Sequence, residues 1–361
     1  MRVGLVIYGS LDTVSGGYLY DRKLVEQLFV LGHSVVVFAL AYRDYAKHLG
    51  DNLNAAWNER LAAAPVDLMI QDELNHPSLL WANFRSRGTG RRYPTAAVVH
   101  HLRSSETEHS PLLRRLYWAI ERIYLNSVDA LLYNSETTRN TVEPLLNHPR
   151  PAMVAYPAAD HLPAGQPEFD MNILAERSRR PGPLQVLFVG NLIPRKGLDQ
   201  VLDALARLPM GSWLLTVVGS QDVDSGYTKF IHSRCQTLPA GAVKFLGRVS
   251  DAELVQQYHS HHLLTVPSYE GFGIVYLEAM RFGLPVIAST LGAACEIVTD
   301  GENGFLVQPH DTGTLSQHLW ALHSNRERLL AMSFAARRRY NQQPTWQQSM
   351  AGAAKWLSSL S

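Results

Sequence analysis

Short, uninterrupted runs of apolar residues, each followed by a stretch with helical spacing, recur along almost the whole chain. In the first half the runs are Val3–Tyr8, Ser34–Ala41, Val66–Ile70, Thr95–Val99, Ala130–Tyr133 and Met153–Tyr156. Helical spacing fills the gaps at Tyr18–Leu31, Leu53–Ala63, Pro111–Asn126 and from Glu136 onward. A strand that is apolar on both sides has to be covered on both faces, and a parallel sheet wrapped by its own crossover helices does this. The rhythm pauses between His161 and Pro183, where Arg177-Ser178-Arg179-Arg180-Pro181-Gly182-Pro183 reads as a hinge with few core residues. It restarts with strands predicted at Leu184–Val189, Trp213–Val218, Val243–Leu246, Leu263–Val266, Pro285–Ala288 and Gly304–Val307. The chain, at 361 residues, exceeds a single core. The expected architecture is therefore α/β, with two doubly wound Rossmann-like domains at 1–165 and 183–343. A tail at 344–361, helical in spacing from Trp346, is expected to cross back onto the first domain.

Charge and cysteine usage narrow the function. A formal net charge of +1 gives no global pull toward nucleic acid, so nucleic acid is not an expected partner. Cys235 and Cys295 have neither a pairing pattern nor metal-ligand spacing, which fits a reducing, cytoplasmic setting. Met1–Gly9 is too short for a signal peptide and reads as a buried first strand. No apolar run approaches the roughly 20 residues that span a bilayer, so membrane contact is expected to be peripheral.

The chemistry concentrates at two predicted strand ends in the second half. Ser268-Tyr269-Glu270-Gly271-Phe272-Gly273 joins a strand to the helix that carries Glu278. Gly271 and Gly273 let a ligand approach the backbone, the new helix offers free N–H groups to an anion, and carboxylates accept hydrogen bonds from hydroxyls. A sugar joined to a phosphate suits that combination. Gly190-Asn191-Leu192-Ile193-Pro194-Arg195-Lys196-Gly197 places a bidentate guanidinium and a compact ammonium after another buried strand. Glu278 lies among Val275, Tyr276, Leu277, Ala279 and Met280, so its carboxylate needs a partner.

Glu270 and Glu278, with Gly271-Phe272-Gly273 between them, resemble the most diagnostic motif of the retaining glycosyltransferases of the GT-B fold, family 4. Gly190-Asn191, Arg195-Lys196-Gly197, Val218-Gly219, Phe245-Leu246-Gly247, Pro285-Val286-Ile287-Ala288 and Asp300-Gly301-Glu302-Asn303-Gly304 follow in that family's order. The resemblance implies two domains facing a central cleft and hexose transfer from a nucleoside diphosphate sugar, UDP-linked first and GDP-linked next. The expected acceptor is a hydroxyl on a glycan, a glycolipid or a small molecule.

Position by position, the resemblance assigns Glu278 to the ribose hydroxyls, Glu270 to hydroxyls of the donor sugar, and the backbone of Gly271, Phe272, Gly273 and Ile274 to the sugar and diphosphate. Arg195 and Lys196 would stabilise charge on the departing diphosphate, and Arg248 and Val249 after Gly247 would flank the base. Gly16 and Gly17 match a loop over the phosphates or the acceptor. His100 is the expected sugar-contacting histidine at the end of its strand, with His101 as the second candidate. The expected catalytic group is thus His100, Glu270, Arg195 and Lys196.

Neither a cofactor nor a catalytic metal is expected, and Asp222-Val223-Asp224 resembles a metal motif only superficially. Arg85, Arg87, Arg91 and Arg92 precede the histidine strand, and Arg103, Arg114, Arg115 and Arg122 follow it. The second group makes a basic amphipathic stretch suited to an anionic membrane or a phosphorylated lipid, or else an ordinary helix packed on the sheet. Rival readings are a nucleotide-sugar epimerase or phosphorylase-like enzyme, and an inactive sugar-nucleotide-binding subunit.

Overall fold

The computed structural model describes residues 1–88, 93–106, 109–163 and 170–361, with side chains left aside at 86–88. Met1–Pro157 together with Pro344–Ser361 form one compact unit, and Ala158–Gln343 form the other.

The first unit holds strands β1 (Arg2–Tyr8), β2 (Ser34–Leu40), β3 (Leu68–Asp72), β4 (Thr95–Val99), β5 (Ala130–Tyr133) and β6 (Ala152–Val154). They form a parallel sheet in the order β2-β1-β3-β4-β5-β6. β3, β4 and β5 are buried at every residue, including the polar Gln71 and Asp72 that end β3. One core layer joins Val6, Met69, Ala97, Val99, Leu131 and Tyr133 to Trp57, Leu61, Tyr124 and Leu125 from the helices.

The helix Trp346–Ser358 belongs to this unit and lies on the helix Gly16–Val30. A Thr345/Gln348 capping box starts it, Trp346 meets the Tyr20 ring edge-on at 6.0 Å, and Ser349 donates to the Tyr156 carbonyl at 2.6 Å.

The second unit holds β7 (Leu184–Val189), β8 (Trp213–Val218), β9 (Val243–Gly247), β10 (Leu263–Val266), β11 (Val286–Ser289) and β12 (Gly304–Val307). Its parallel order is β9-β8-β7-β10-β11-β12. In both sheets the chain winds one way and then the other. The direction changes between β1 and β3 in the first sheet and between β7 and β10 in the second. Ligands of open α/β sheets bind at the carboxyl ends of strands at such a switch.

Two expectations need correction. The hinge segment contains a helix, Met171–Arg179, capped by Asp170, which accepts from the Asn172 N–H at 2.8 Å. Its Leu174, Arg177 and Ser178 are buried, and Arg177 donates to the carbonyls of Tyr258 at 3.1 Å and Gly283 at 3.0 Å. Arginine-rich sequence suggested solvent, but a guanidinium that satisfies two buried carbonyls is a core residue. A helix at Arg326–Asn341 was also missed, because half of its buried face is Ser333, Ala335 and Ala336, too small to mark a strong apolar stripe.

Candidate active site

The carboxyl ends of β7 and β10, on either side of the second switch, bring together the two motifs of the second unit. After β7 the chain turns through Gly190 into a short 3-10 turn, Pro194–Lys196, ended by Gly197 at φ 71°. A Cβ on Gly190 would sit 3.3 Å from the Lys196 side chain, so the missing side chain lets the lysine stem lie along the backbone. Gly219, at the end of β8, adopts φ 147°, and a Cβ there would fall 2.0 Å from the Gly190 carbonyl oxygen. Glycine is required at that close approach.

After β10 the turn presents Glu270. Lys196 and Ser268 both donate to its Oε1, the serine at 2.5 Å, while Arg195 Nη1 stands 3.9 Å from Oε2 and donates to the Tyr269 carbonyl at 2.6 Å. Burial by itself would raise the Glu270 carboxyl, but Lys196 and Arg195 hold it down at about 2. Burial pulls the Lys196 ammonium below the usual lysine value, against the attraction of Glu270. Among the groups in direct contact two cations face one carboxylate, with Glu278 acting on Lys196 only at longer range.

The helix Ile274–Arg281 starts beside them from Gly273 at φ 97°, with no side-chain cap and no acid in its first turn. Its dipole therefore also favours an anion. Gly271 is half-buried and Phe272 buried in this turn, and the backbone of Glu270 is fixed from behind by the Ala293 N–H, which donates to its carbonyl at 2.9 Å.

One turn further along this helix, Glu278 is 9% exposed and has the partners its setting demands. Tyr258 donates to Oε2 at 2.8 Å, and His161 Nε2 lies 3.2 Å from Oε1. Each oxygen keeps a second lone pair for a ligand hydroxyl. Neither partner was visible in sequence, since both come from other elements.

Arg248 lines a surface pocket together with Ser220, Gln221, Asp222, Val223 and Gly247. Val249 follows in the same loop, half-buried and outside that lining. Asp224 of the Asp-x-Asp stretch is committed to capping a helix, accepting from the Tyr227 N–H at 2.9 Å.

The first unit assembles a different group at the first switch. Gly16 and Gly17 form the first turn of the helix capped by Ser15. A Cβ on Gly17 would stand 3.4 Å from the His100 ring, so any side chain there would meet the histidine. His100 is buried, with Nε2 3.7 Å from Asp21 Oδ1 and 4.0 Å from Asp72 Oδ1. Burial would depress the imidazole, but contact with Asp21 and the charges of Asp72 and Asp21 carry it up to about 9. Burial, followed by the neighbouring Asp21, raises the Asp72 carboxyl to about 8.

Asp21 and Asp72 were missed by sequence reasoning, although a signal existed. Asp21 lies on the buried side of its helix with Tyr20, Leu24 and Leu28, and Asp72 ends a wholly buried strand. His101 instead pairs with Glu106 at 3.0 Å and is part-exposed.

The basic stretch divides. In the helix Pro111–Leu125, Tyr117, Ile120, Tyr124 and Leu125 pack inward. Arg114 donates to the Ser104 carbonyl at 2.9 Å, and Arg103 lies over the rings of Tyr45 and Tyr117. Arg115 and Arg122 remain exposed beside Leu112, Leu116, Trp118 and Ile123. Arg85 is exposed, and the Arg87 side chain, Arg91 and Arg92 lie outside what the structure describes. Among the described residues no helix is long and apolar enough to cross a membrane.

Comparison with known proteins agrees with this geometry. The family described as "Glycosyl transferases group 1" matches residues 171–339. The phosphatidyl-myo-inositol mannosyltransferase of Mycobacterium leprae is 36% identical, over 94% of this chain and 93% of that protein. The GDP-mannose-dependent monoacylated alpha-(1-6)-phosphatidylinositol monomannoside mannosyltransferase of Corynebacterium glutamicum is 29% identical, over 95% of this chain and 87% of its own length. The match to the D-inositol 3-phosphate glycosyltransferase of Nocardia farcinica, 32% identical over 60% of this chain, spans only about half of that protein, 49%. In fold, sucrose-phosphate synthase from Thermosynechococcus elongatus superposes with a TM-score of 0.81 at 20% identity, covering 99% of this chain and 98% of that one. A relative aligned over nine-tenths of both chains, and a family match lying over the unit that carries Arg195, Lys196, Glu270 and Glu278, establish that this chain belongs to the group 1 glycosyl transferases and is a hexosyltransferase of the GT-B fold.

Proposed function

We propose that the chain transfers a hexose, with retention at the anomeric carbon, from a nucleoside diphosphate sugar to a hydroxyl of a glycan or glycolipid. The observation that carries this reading is the charge surplus at the second switch, where Arg195 and Lys196 flank Glu270 beside an uncapped helix start. A diphosphate supplies the missing negative charge. Glu278 accepts from the ribose hydroxyls through the lone pairs that Tyr258 and His161 leave, and Glu270 accepts from a sugar hydroxyl.

As the bond from the anomeric carbon to the phosphate oxygen breaks, charge grows on the diphosphate, where the two cations and the helix N–H groups are already in place. The acceptor oxygen bonds to the anomeric carbon on the same face, and its proton passes to the departing phosphate oxygen. No enzymic nucleophile takes part. The reading assigns no role to a divalent cation, because Arg195 and Lys196 supply the positive charge. Unchanged turnover in a chelator supports that assignment, and loss restored by manganese would overturn it.

We rank a GDP-linked hexose ahead of a UDP-linked one. Family frequency alone favours UDP, but two relatives aligned over more than nine-tenths of the chain are mannosyltransferases, and one is GDP-mannose-dependent by name. Those relatives are also named for phosphatidylinositol acceptors. The exposed Leu112, Leu116 and Ile123 beside Arg115 and Arg122 support a lipid acceptor at an anionic surface.

The test is a thermal-shift screen of GDP, UDP and ADP, followed by hydrolysis and transfer assays on the corresponding hexoses. Stabilisation by GDP, reduced in Glu278→Gln, together with turnover strongly lowered in Lys196→Met, is the expected result. No stabilisation by any nucleoside diphosphate would sink the proposal. Binding without turnover would favour an inactive sugar-nucleotide-binding subunit.

A further inference from the structure

Four polar atoms around the first switch are buried without a hydrogen-bond partner: both carboxylate oxygens of Asp21, Oδ2 of Asp72 and Nε2 of His100. Such atoms are rare in a folded chain, and three residues contribute them at one point. Asp21 is 1% exposed and Asp72 is fully buried, so solvent satisfies neither carboxyl.

The surroundings of His100 are otherwise fixed. Its carbonyl accepts from Asn134 Nδ2 at 2.9 Å and Thr138 Oγ1 at 3.2 Å, Tyr20 meets the ring edge-on at 5.2 Å, and Gly17 lies against one face. Of the charged groups that face the ring, Asp21 comes from the first helix, Asp72 from the end of β3, and Glu73 from the turn that follows it.

The side of the ring that faces these carboxylates decides what the other side can do. With Nε2 turned toward acid groups, a neutral imidazole keeps its single hydrogen there, and Nδ1 can only accept. A second proton converts Nδ1 into a donor. We propose that Asp21, the nearest carboxylate, is a positioning residue that holds His100 in its doubly protonated form, so that Nδ1 is a donor for a hydroxyl of a ligand bound at the first switch.

Asp72 is the secondary partner. Its Oδ1 is also taken by the Leu74 N–H at 3.0 Å, and burial together with the charge of Asp21 raises its carboxyl well above the usual aspartate range. The proposal rests on the glycosyl-transfer reading above, but its test has a readout independent of turnover.

The experiment uses the full chain and its Asp21→Asn, Asp21→Glu and Asp72→Asn variants, each checked for folding by circular dichroism. The His100 ring is titrated by nitrogen-15 NMR, assigned by its absence in His100→Gln. The expected result is a wild-type ring that stays protonated at pH 7.5, with a midpoint near 9, and a midpoint lowered by at least one unit in Asp21→Asn. That is a tenfold weaker hold on the proton.

Asp21→Glu recovers part of the shift, and Asp72→Asn has the smaller effect at neutral pH. Transfer follows the same order. The alkaline limb of the kcat profile moves to lower pH in Asp21→Asn, while the affinity for the bare nucleoside diphosphate, which contacts the second unit, stays unchanged.

An ordinary midpoint near 6.5 in the wild type, an unshifted midpoint in Asp21→Asn, or a divalent metal retained stoichiometrically and lost in Asp21→Asn would each overturn the proposal. If the wild type turns over no sugar nucleotide while the ring titrates as expected, the glycosyl-transfer reading fails and the proton-holding pair stands. If transfer is normal and the ring is ordinary, the reverse holds.

Discussion

The two switch points of this molecule have the same layout and opposite charge arithmetic. In the second unit Arg195 and Lys196 surround one carboxylate, Glu270, and the surplus is positive. In the first unit Asp21 and Asp72 surround one imidazole, His100, and the surplus is acidic unless a proton is shared among them. A doubly wound sheet supplies a place where strand ends diverge and side chains converge, but it does not decide what converges there.

The comparison breaks most sharply at Lys196. Lys196→Met removes one of the two cations and should lower kcat by about 10²- to 10³-fold, the cost typical of losing one donor aimed at developing charge. It should also change acid stability, with a sign fixed by linkage. The Glu270 carboxyl is lower in the fold than its usual 4.5, so its contribution is present above that value and is lost as pH falls through about 2. Without Lys196 that carboxyl rises, and acid unfolding should begin at higher pH. An unchanged acid midpoint in circular dichroism would show that the pair does not hold Glu270.

The backbone of each switch gives the next contrast. Gly219→Ala forces a Cβ against the Gly190 carbonyl in a conformation that alanine resists, and should cost about 1–3 kcal/mol in urea unfolding. Gly17→Ala meets only ordinary contact with His100 at 3.4 Å and should leave stability nearly unchanged, so equal losses at the two positions would erase the distinction.

Glu278→Gln keeps the shape and removes the charge that ribose hydroxyls would meet. Nucleotide affinity should fall roughly tenfold by calorimetry, in line with about 1.5 kcal/mol for a hydrogen bond to a charged group. The smallest effect is expected at the surface. Arg115→Ala should weaken flotation with anionic vesicles by about 1 kcal/mol and leave neutral vesicles unaffected, whereas Arg114→Ala, which loses a contact to the Ser104 carbonyl, should act on stability instead.

The residues that sequence reasoning found share one property: their meaning is local. Gly190 and Gly273 mark turns where a side chain would meet a neighbour, and Glu270 and Glu278 are read from a strand, a turn and a helix that follow one another. Arg195 and Lys196 follow the same rule. What it missed lies across the fold. Tyr258 and His161 reach Glu278 from other elements, Asp21 and Asp72 reach His100 from a helix and a strand, and Arg177 looked like a linker charge until its two carbonyl partners were seen.

From the order of residues alone came the two series of buried strands, the helices between them and the turns that bear chemistry, because period and steric permission are written in neighbouring positions. Only the tertiary structure decided which charges meet. Electrostatic partnership depends on distances of a few ångströms in space, and residues far apart in the chain acquire those distances only when the sheets choose their strand order.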